Sequence, residues 1–297
     1  MKLRLLLISV ITAINIVACQ HKQQAPISTI DSTLQVNATS ILEEKLSEIN
    51  AQSGQVIVME VQSGQIKALV GLTRKDSANY QSCENFSVWQ STGLMHPISL
   101  LAALETGKVK LSDKVDTGNG IYQVQGRELK DHNWHRGGYG ELTVQEGLAA
   151  SSNIAIYKTM EKAFGDNPQT FFDLLTNMSY GKPDSINGIA SLQPYKITEK
   201  NITWNCIGYE QLISPIQVLT FYNAIANNGK MIQPQLYKDS VVVINPQIAS
   251  RASIDSLKKA LVFNITDGLG QHAKSDKVLV AGMQGTSSLS TNEDSTK

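Results

Sequence analysis

The chain has 297 residues, 26 of them basic and 26 acidic, so its formal net charge is +0; 41% of positions are apolar and 18% charged. That is enough chain for one large or two small domains with cores of their own, and it is not the composition of a disordered segment. With charge balanced and no Lys/Arg run, nucleic acid is excluded as an electrostatic partner, and recognition has to come from sites rather than bulk charge.

Lys2 and Arg4 precede an apolar run from Leu5 to Val17, broken by Ser9, Thr12 and Asn15. This is the pattern of an export signal, too short for a bilayer span. Ile16-Val17-Ala18-Cys19 resembles the lipobox of bacterial lipoproteins. Residues 1–18 are therefore expected to be a lipoprotein signal peptide, and Cys19 the lipidated start of a mature chain held on the envelope side of a membrane. Residues 19–40 are rich in Gln, Ser, Thr and Asn and read as a tether, with 41–297 as the domain. Cys83 and Cys206 lie too far apart in sequence to carry pairing information, and buried free thiols are the plainer reading.

Along the domain, Ile41, Leu42, Leu46 and Ile49 have helical spacing over 41–50. Residues 55–61 and 65–71 are β-rich runs around Gln62-Ser63-Gly64, which predicts a hairpin. Pro97 opens an almost wholly apolar helix that Gly107 stops, and such a helix must be buried. Thr143-Val144-Gln145-Glu146 is a capping box leading into Leu148 and Ala149, and a further helix is expected from Asn153 to Phe164. Ser214 to Gln217 repeats the capping signature, and that helix closes at Asn227-Asn228-Gly229. A last helix is predicted from Ser253 to about Ile265, and a strand from Val278 to Met283. The fold class is α+β.

Four stretches carry a resemblance to the transpeptidase domain of class B penicillin-binding proteins, particularly those serving division. They are the hairpin GQVIVMEVQSGQIKALVG, the helix HPISLLAALETG, Asp131-His132-Asn133 followed by GGYGELTVQEGLAASSN, and CIGYEQLISPIQVLTFYNAIANNGKMIQP from Cys206 to Pro234. The resemblance implies a penicillin-binding protein/β-lactamase-like fold, a helical subdomain against an antiparallel sheet, with motifs of the type SxxK, SxN and K[ST]G. It also places the Pro97 helix centrally against the 215–228 helix and the hairpin, with Gly93, Ser151 and Gly285 around one groove.

Anchored on Pro97, the family's serine falls on Gly93 and its lysine on His96. The family's mechanism needs a hydroxyl to attack a D-alanyl-D-alanine carbonyl and a lysine one helical turn on to take its proton. Neither group is present. Ser151-Ser152-Asn153 fits SxN, with Ser151 as proton relay and Asn153 as substrate-amide holder, but the same three residues also make a good helix cap. The third motif falls on Met283-Gln284-Gly285, followed by Thr286, without the lysine that would clamp a substrate carboxylate. No other register helps: Ser91 has Leu94 three residues on, and Thr92 has Met95. Asp131, His132 and His135 could suggest a metal, but no strong third ligand at zinc-like spacing follows the two histidines, so they read as a structural loop, and no cofactor is implied.

In the family two more strands and a helix follow the third motif, whereas 289–297 is polar, so the fold is expected to be C-terminally truncated. Strand 278–283 then pairs elsewhere, near Val241 to Ile244, or leaves an open edge, or belongs to a decayed remnant. The expected function is a catalytically inactive, lipid-anchored relative that binds peptidoglycan stem peptides or envelope and division proteins. The competing expectation is an active D,D-transpeptidase or β-lactam-reactive enzyme.

Overall fold

The computed structural model describes residues 26–77, 79–83, 92–189 and 192–286. The signal peptide, Cys19 and Ser91 lie outside these residues.

Helix α1 (Ser32–Glu48) leads into the antiparallel strands β1 (Ser53–Met59), β2 (Ile66–Arg74) and β3 (Tyr80–Ser82), which form a sheet in the order β1-β2-β3. The helix begins well before position 41, so the last part of the expected tether belongs to the domain. Asp31 accepts from the Leu34 amide as its N-cap, and Gln35 binds both the amide and the carbonyl of Leu69 at 2.8 Å. A polar sequence here is a helix that docks through hydrogen bonds, with Leu46 packed on Val70 and Leu72.

Helix α2 (His96–Glu105) follows, buried from His96 to Ala103. Then come β4 (Lys114–Asp116), the hairpin β5 (Ile121–Val124) and β6 (Arg127–Lys130), β7 (Glu141–Thr143), α3 (Val144–Ala149), α4 (Asn153–Phe164) and α5 (Gln169–Asn177). Short β8 (Lys196–Ile197), α6 (Ile202–Asn205) and β9 (Gln211–Leu212) precede α7 (Pro215–Ala226). Last are β10 (Met231–Ile232), β11 (Val243–Asn245) and α8 (Arg251–Thr266). Both capping boxes form as the spacing predicts, Thr143 with Glu146 and Ser214 with Gln217.

The main core gathers α2, α4, α5, α7 and α8, and buries Phe164, Phe171 and Phe221 completely. Truncating any of these would cost about 3–5 kcal/mol. The expected central packing of α2 against α7 and the hairpin is corrected: α2 lies mainly on α4 and α8, while α7 packs on β10 and β1. Polar ties explain it. Gln217 donates to the Pro183 carbonyl at 3.0 Å, tying α7 to the loop after α5, and Asn223 donates to the Glu60 carbonyl at 3.4 Å, tying it to the hairpin's end. The Tyr222 hydroxyl donates to the Leu94 carbonyl at 2.9 Å and ties α7 to the turn before α2.

The strand expected at 278–283 is absent; the segment bends at Val278 and pairs in no ladder. A strand exists only where neighbours take its backbone groups. Here α8 takes some of them: Asn264 donates to the Gly282 carbonyl at 2.8 Å, and the Gly282 amide donates to the Leu261 carbonyl at 3.3 Å. The alternative partner, 241–244, is engaged elsewhere, since β11 pairs with β10. Cys83 and Cys206 are both free thiols.

Candidate active site

The turn before α2, the head of α4 and the segment 283–286 converge. Gly93 lies in the turn before helix α2, and its φ of +77° belongs to the left-handed region where a side chain is strained. Gly285 lies against it. A Cβ on Gly93 would sit 2.6 Å from the Gly285 Cα and 3.0 Å from the Gln284 carbonyl oxygen. A Cβ on Gly285 would collide with the Thr92 carbonyl and lie 3.0 Å from the Leu94 amide. The Thr92 hydroxyl donates to the Thr286 carbonyl and fastens the contact. The two backbones therefore touch, with no room for a side chain at either glycine.

One turn further, His96 is 1% exposed and its Nε2 is 3.1 Å from Asn153 Oδ1. Asn153 Nδ2 donates to the Lys130 carbonyl at 2.9 Å, which turns Oδ1 toward the imidazole. An amide oxygen only accepts, so Nε2 carries the proton and Nδ1 is left bare, buried without a partner among the described residues. Burial pushes the imidazolium pKa down to about 4, against a smaller opposing effect of the Asn153 hydrogen bond. At neutral pH His96 is a neutral, weak base whose N–H is already engaged by Asn153.

This shift has a measurable consequence. The folded-state value lies below the ordinary 6.5, so the neutral ring contributes stability that is present above that pH and lost as pH falls toward 4. At ~1.36 kcal/mol per unit the loss is on the order of 2–3 kcal/mol. Urea midpoints of wild type and His96→Gln should converge between pH 7 and 4.5, and parallel curves would refute it.

Asp131 is fully buried under α4. Its Oδ2 accepts from the Ser152 hydroxyl at 2.7 Å and its Oδ1 from the Ile154 amide at 3.1 Å. Burial raises its pKa despite those hydrogen bonds. Ser152 is the N-cap of α4, accepting from the Ala155 amide at 2.9 Å. The capping reading of the Ser-Ser-Asn triplet thus holds for its middle residue. Ser151 sits in the turn between α3 and α4 with φ +49°, a strained conformation for a residue with a Cβ.

The segment after α8 supplies the rest. Met283 packs on the main core, and Gln284 Oε1 accepts from Asn264 at 2.8 Å, so neither presents a cation. Of the residues singled out in the sequence, Gly93, His96, Asn153, Gly285 and Thr286 are brought together, with Ser151 beside Asn153. Sequence reading missed Asn264, which positions both Gly282 and Gln284, and Lys130, whose carbonyl orients Asn153. The mutual contact of the two glycines was likewise invisible, because a close approach leaves no signal in spacing.

A family model of the penicillin-binding protein transpeptidase domain matches residues 54–297. The chain is 24% identical over 260 residues to a probable peptidoglycan D,D-transpeptidase PbpC of Pseudomonas aeruginosa, covering 83% of this chain and 44% of the relative. To the peptidoglycan D,D-transpeptidase FtsI of Escherichia coli K12 it is 23% identical, covering 68% and 35%. The chain thus spans less than half the length of either relative. Among solved structures, a peptidoglycan glycosyltransferase from Burkholderia ambifaria superposes with a TM-score of 0.73 at 23% identity, over 87% of this chain and 80% of that one. The transpeptidase domain of Burkholderia pseudomallei penicillin-binding protein 3 gives 0.71 at 22%, over 87% and 76%. The helical body against an antiparallel sheet is the same fold.

Proposed function

Given that the chain belongs to the penicillin-binding protein transpeptidase family, we propose that it serves peptidoglycan synthesis as a non-catalytic, envelope-facing member. It is tethered to a membrane through lipidated Cys19 and engages envelope or division proteins, or peptidoglycan stem peptides, without acylation. The observation that carries this reading is Gly93. There is no oxygen at the nucleophile position, and loss of a serine nucleophile costs about a millionfold in turnover. The surroundings agree: His96 is a neutral base of low pKa, Met283 and Gln284 carry no charge for a carboxylate, and Gly285 lies over Gly93. That closed approach favours protein partners over stem peptides.

One measurement tests both the silence of the site and the anchor. Mature protein extracted from membranes and exposed to a fluorescent penicillin is weighed intact. The expected mass is that of a chain beginning at Cys19 with its acyl groups and no penicilloyl addition. A stoichiometric adduct mapped to a residue around Gly93 would replace this reading with an active acylating enzyme. An unacylated chain starting elsewhere would remove the anchor alone.

A further inference from the structure

Helix α2 starts beside Gly93 and ends at Glu105, while α8 starts at Arg251 and reaches Gln284 through Asn264 in its last turn. The other ends of these two helices therefore lie away from the closed approach. Between them is an open cavity of ≈ 530 Å³, walled by the loop 109–112 after α2, the first turn of α3 and the first turns of α8. Two ammonium groups line it, Lys110 from the loop and Lys259 from α8, and no carboxylate does. Neither lysine has a hydrogen bond or an ion pair among the described residues. Their neighbours differ: Lys108 donates to the Ala163 carbonyl, Lys114 and Lys162 pair with Glu141 and Asp113, and Lys258 donates to the Ala226 carbonyl and Asn228.

The carboxylates on the surrounding elements are engaged by other groups: Glu105 by Ser250, Glu146 by Thr143 and Asp255 by Arg251. Asp113 feels the charge of Lys110, but its Oδ2 accepts from the Lys162 ammonium at 2.8 Å and from the Lys110 amide at 3.0 Å. Two like charges at one cavity repel until an anion stands between them. The neutral polar groups of the wall are equally unengaged. The hydroxyls of Ser112 and Ser256 and the amide of Gln145 have no protein partner among the described residues, whereas Thr143 and Ser253 are occupied in the caps of α3 and α8. Ser256 and Lys259 are three apart and share one face of α8. Leu104 and Leu111 add apolar surface, and the volume is that of a small-molecule site. Paired point charges without a guanidinium fork suit phosphate oxygens better than a planar carboxylate.

We propose that this cavity binds a phosphorylated polyol, either a free sugar phosphate or a glycerophosphate headgroup. The phosphate sits between Lys110 and Lys259, the hydroxyls meet Ser112, Ser256 and Gln145, and the carbon skeleton lies on Leu104 and Leu111. This goes beyond the non-catalytic reading and does not depend on it.

The probes are glucose 6-phosphate and glycerol 3-phosphate, titrated into the full chain and followed by backbone amide shifts. Glucose, inorganic phosphate and a hexaglutamate peptide are the controls. At least one probe should bind with a Kd below about 1 mM and move the amides of 110–112, 145 and 256–259. Whichever of the two binds at least tenfold more tightly identifies the source. Glucose and inorganic phosphate should each bind at least tenfold more weakly than that probe, as should the probe to the double variant Lys110→Ala, Lys259→Ala at unchanged melting temperature. Saturation by neither probe, shifts confined to the turn at 93 and 151, or unchanged affinity in the double variant overturns the proposal. Inorganic phosphate binding as tightly as the probes would make this a bare anion site, and tighter binding of hexaglutamate would make it a contact for an acidic protein; either result also overturns it.

Discussion

Gly93→Ser is expected to stay as inert toward penicillin as the parent chain and to melt about 6–12 °C lower, the result of a loss on the order of 3 kcal/mol. Restoring the hydroxyl restores a hydroxyl and nothing else. The new Cβ would sit at φ +77°, 2.6 Å from the Gly285 Cα, so either the turn before α2 or the segment 284–286 must move. If the serine is accommodated, the nearest family base position holds an imidazole whose proton-free nitrogen is buried and whose conjugate acid has a pKa of about 4. A hydroxyl with no competent base is a poor nucleophile. The measurements are scanning calorimetry and intact mass after incubation with penicillin. Acylation of this variant together with an unchanged melting temperature would show that 284–286 yields freely and that the closed approach is no barrier.

The second large effect is expected at Asp131. Asp131→Ala leaves the Ser152 hydroxyl and the Ile154 amide without their acceptor inside the protein, at about 1–3 kcal/mol each. With the cavity added, a loss on the order of 4 kcal/mol follows, or about 8–16 °C in melting temperature. Asp131→Asn is expected to differ from wild type by about 1 kcal/mol at neutral pH. Its amide oxygen still serves Ile154, and its nitrogen can donate to the Ser152 hydroxyl, which then acts as acceptor. The raised carboxyl pKa gives the sign: the acid's contribution is complete below its ordinary 3.8 and is lost as pH rises through its folded value. Charge at 131 is thus not what α4 requires; a hydrogen-bonding partner for both the Ser152 hydroxyl and the Ile154 amide is. Equal melting temperatures for the alanine and asparagine variants would refute this.

Local chemistry explains what the sequence made legible. Thr143 with Glu146, and Ser214 with Gln217, form their caps because each reciprocal bond closes within four residues, whatever the rest of the chain does. The hairpin expected over 55–71 follows from two β-rich runs around the Gln62-Ser63-Gly64 turn, and the buried α2 from an apolar run between Pro97 and Gly107. What escaped depends on distant partners. Residues 32–40 look like a linker until Gln35 meets the exposed edge of β2, and 278–283 looks like a strand until no ladder forms beside it. The hairpin of β5 and β6 was overlooked although Gln125 and Gly126, both at positive φ, mark its two-residue turn. Helix α5, whose Phe171, Phe172 and Leu175 are buried, was missed despite helical spacing. At the site, residue identities at 93, 96 and 283–286 were readable. The contacts that neutralise them, from Asn264, Lys130 and Gly285, were not.

The stacked pair Gly93 and Gly285 has a consequence for descent. Each glycine is tolerated because the other is bare, so a side chain at either position is penalised for as long as the partner strand stays where it is. On the reading proposed above, a lineage that exchanges its nucleophile for such a glycine does not wait one codon from recovery. The backbone at 284–285 occupies the volume that a side chain at 93 would need, so a serine there is selected against as a destabilising change before it can be selected for as a reactive one. The loss works as a ratchet, and the way back requires the wall to retreat first.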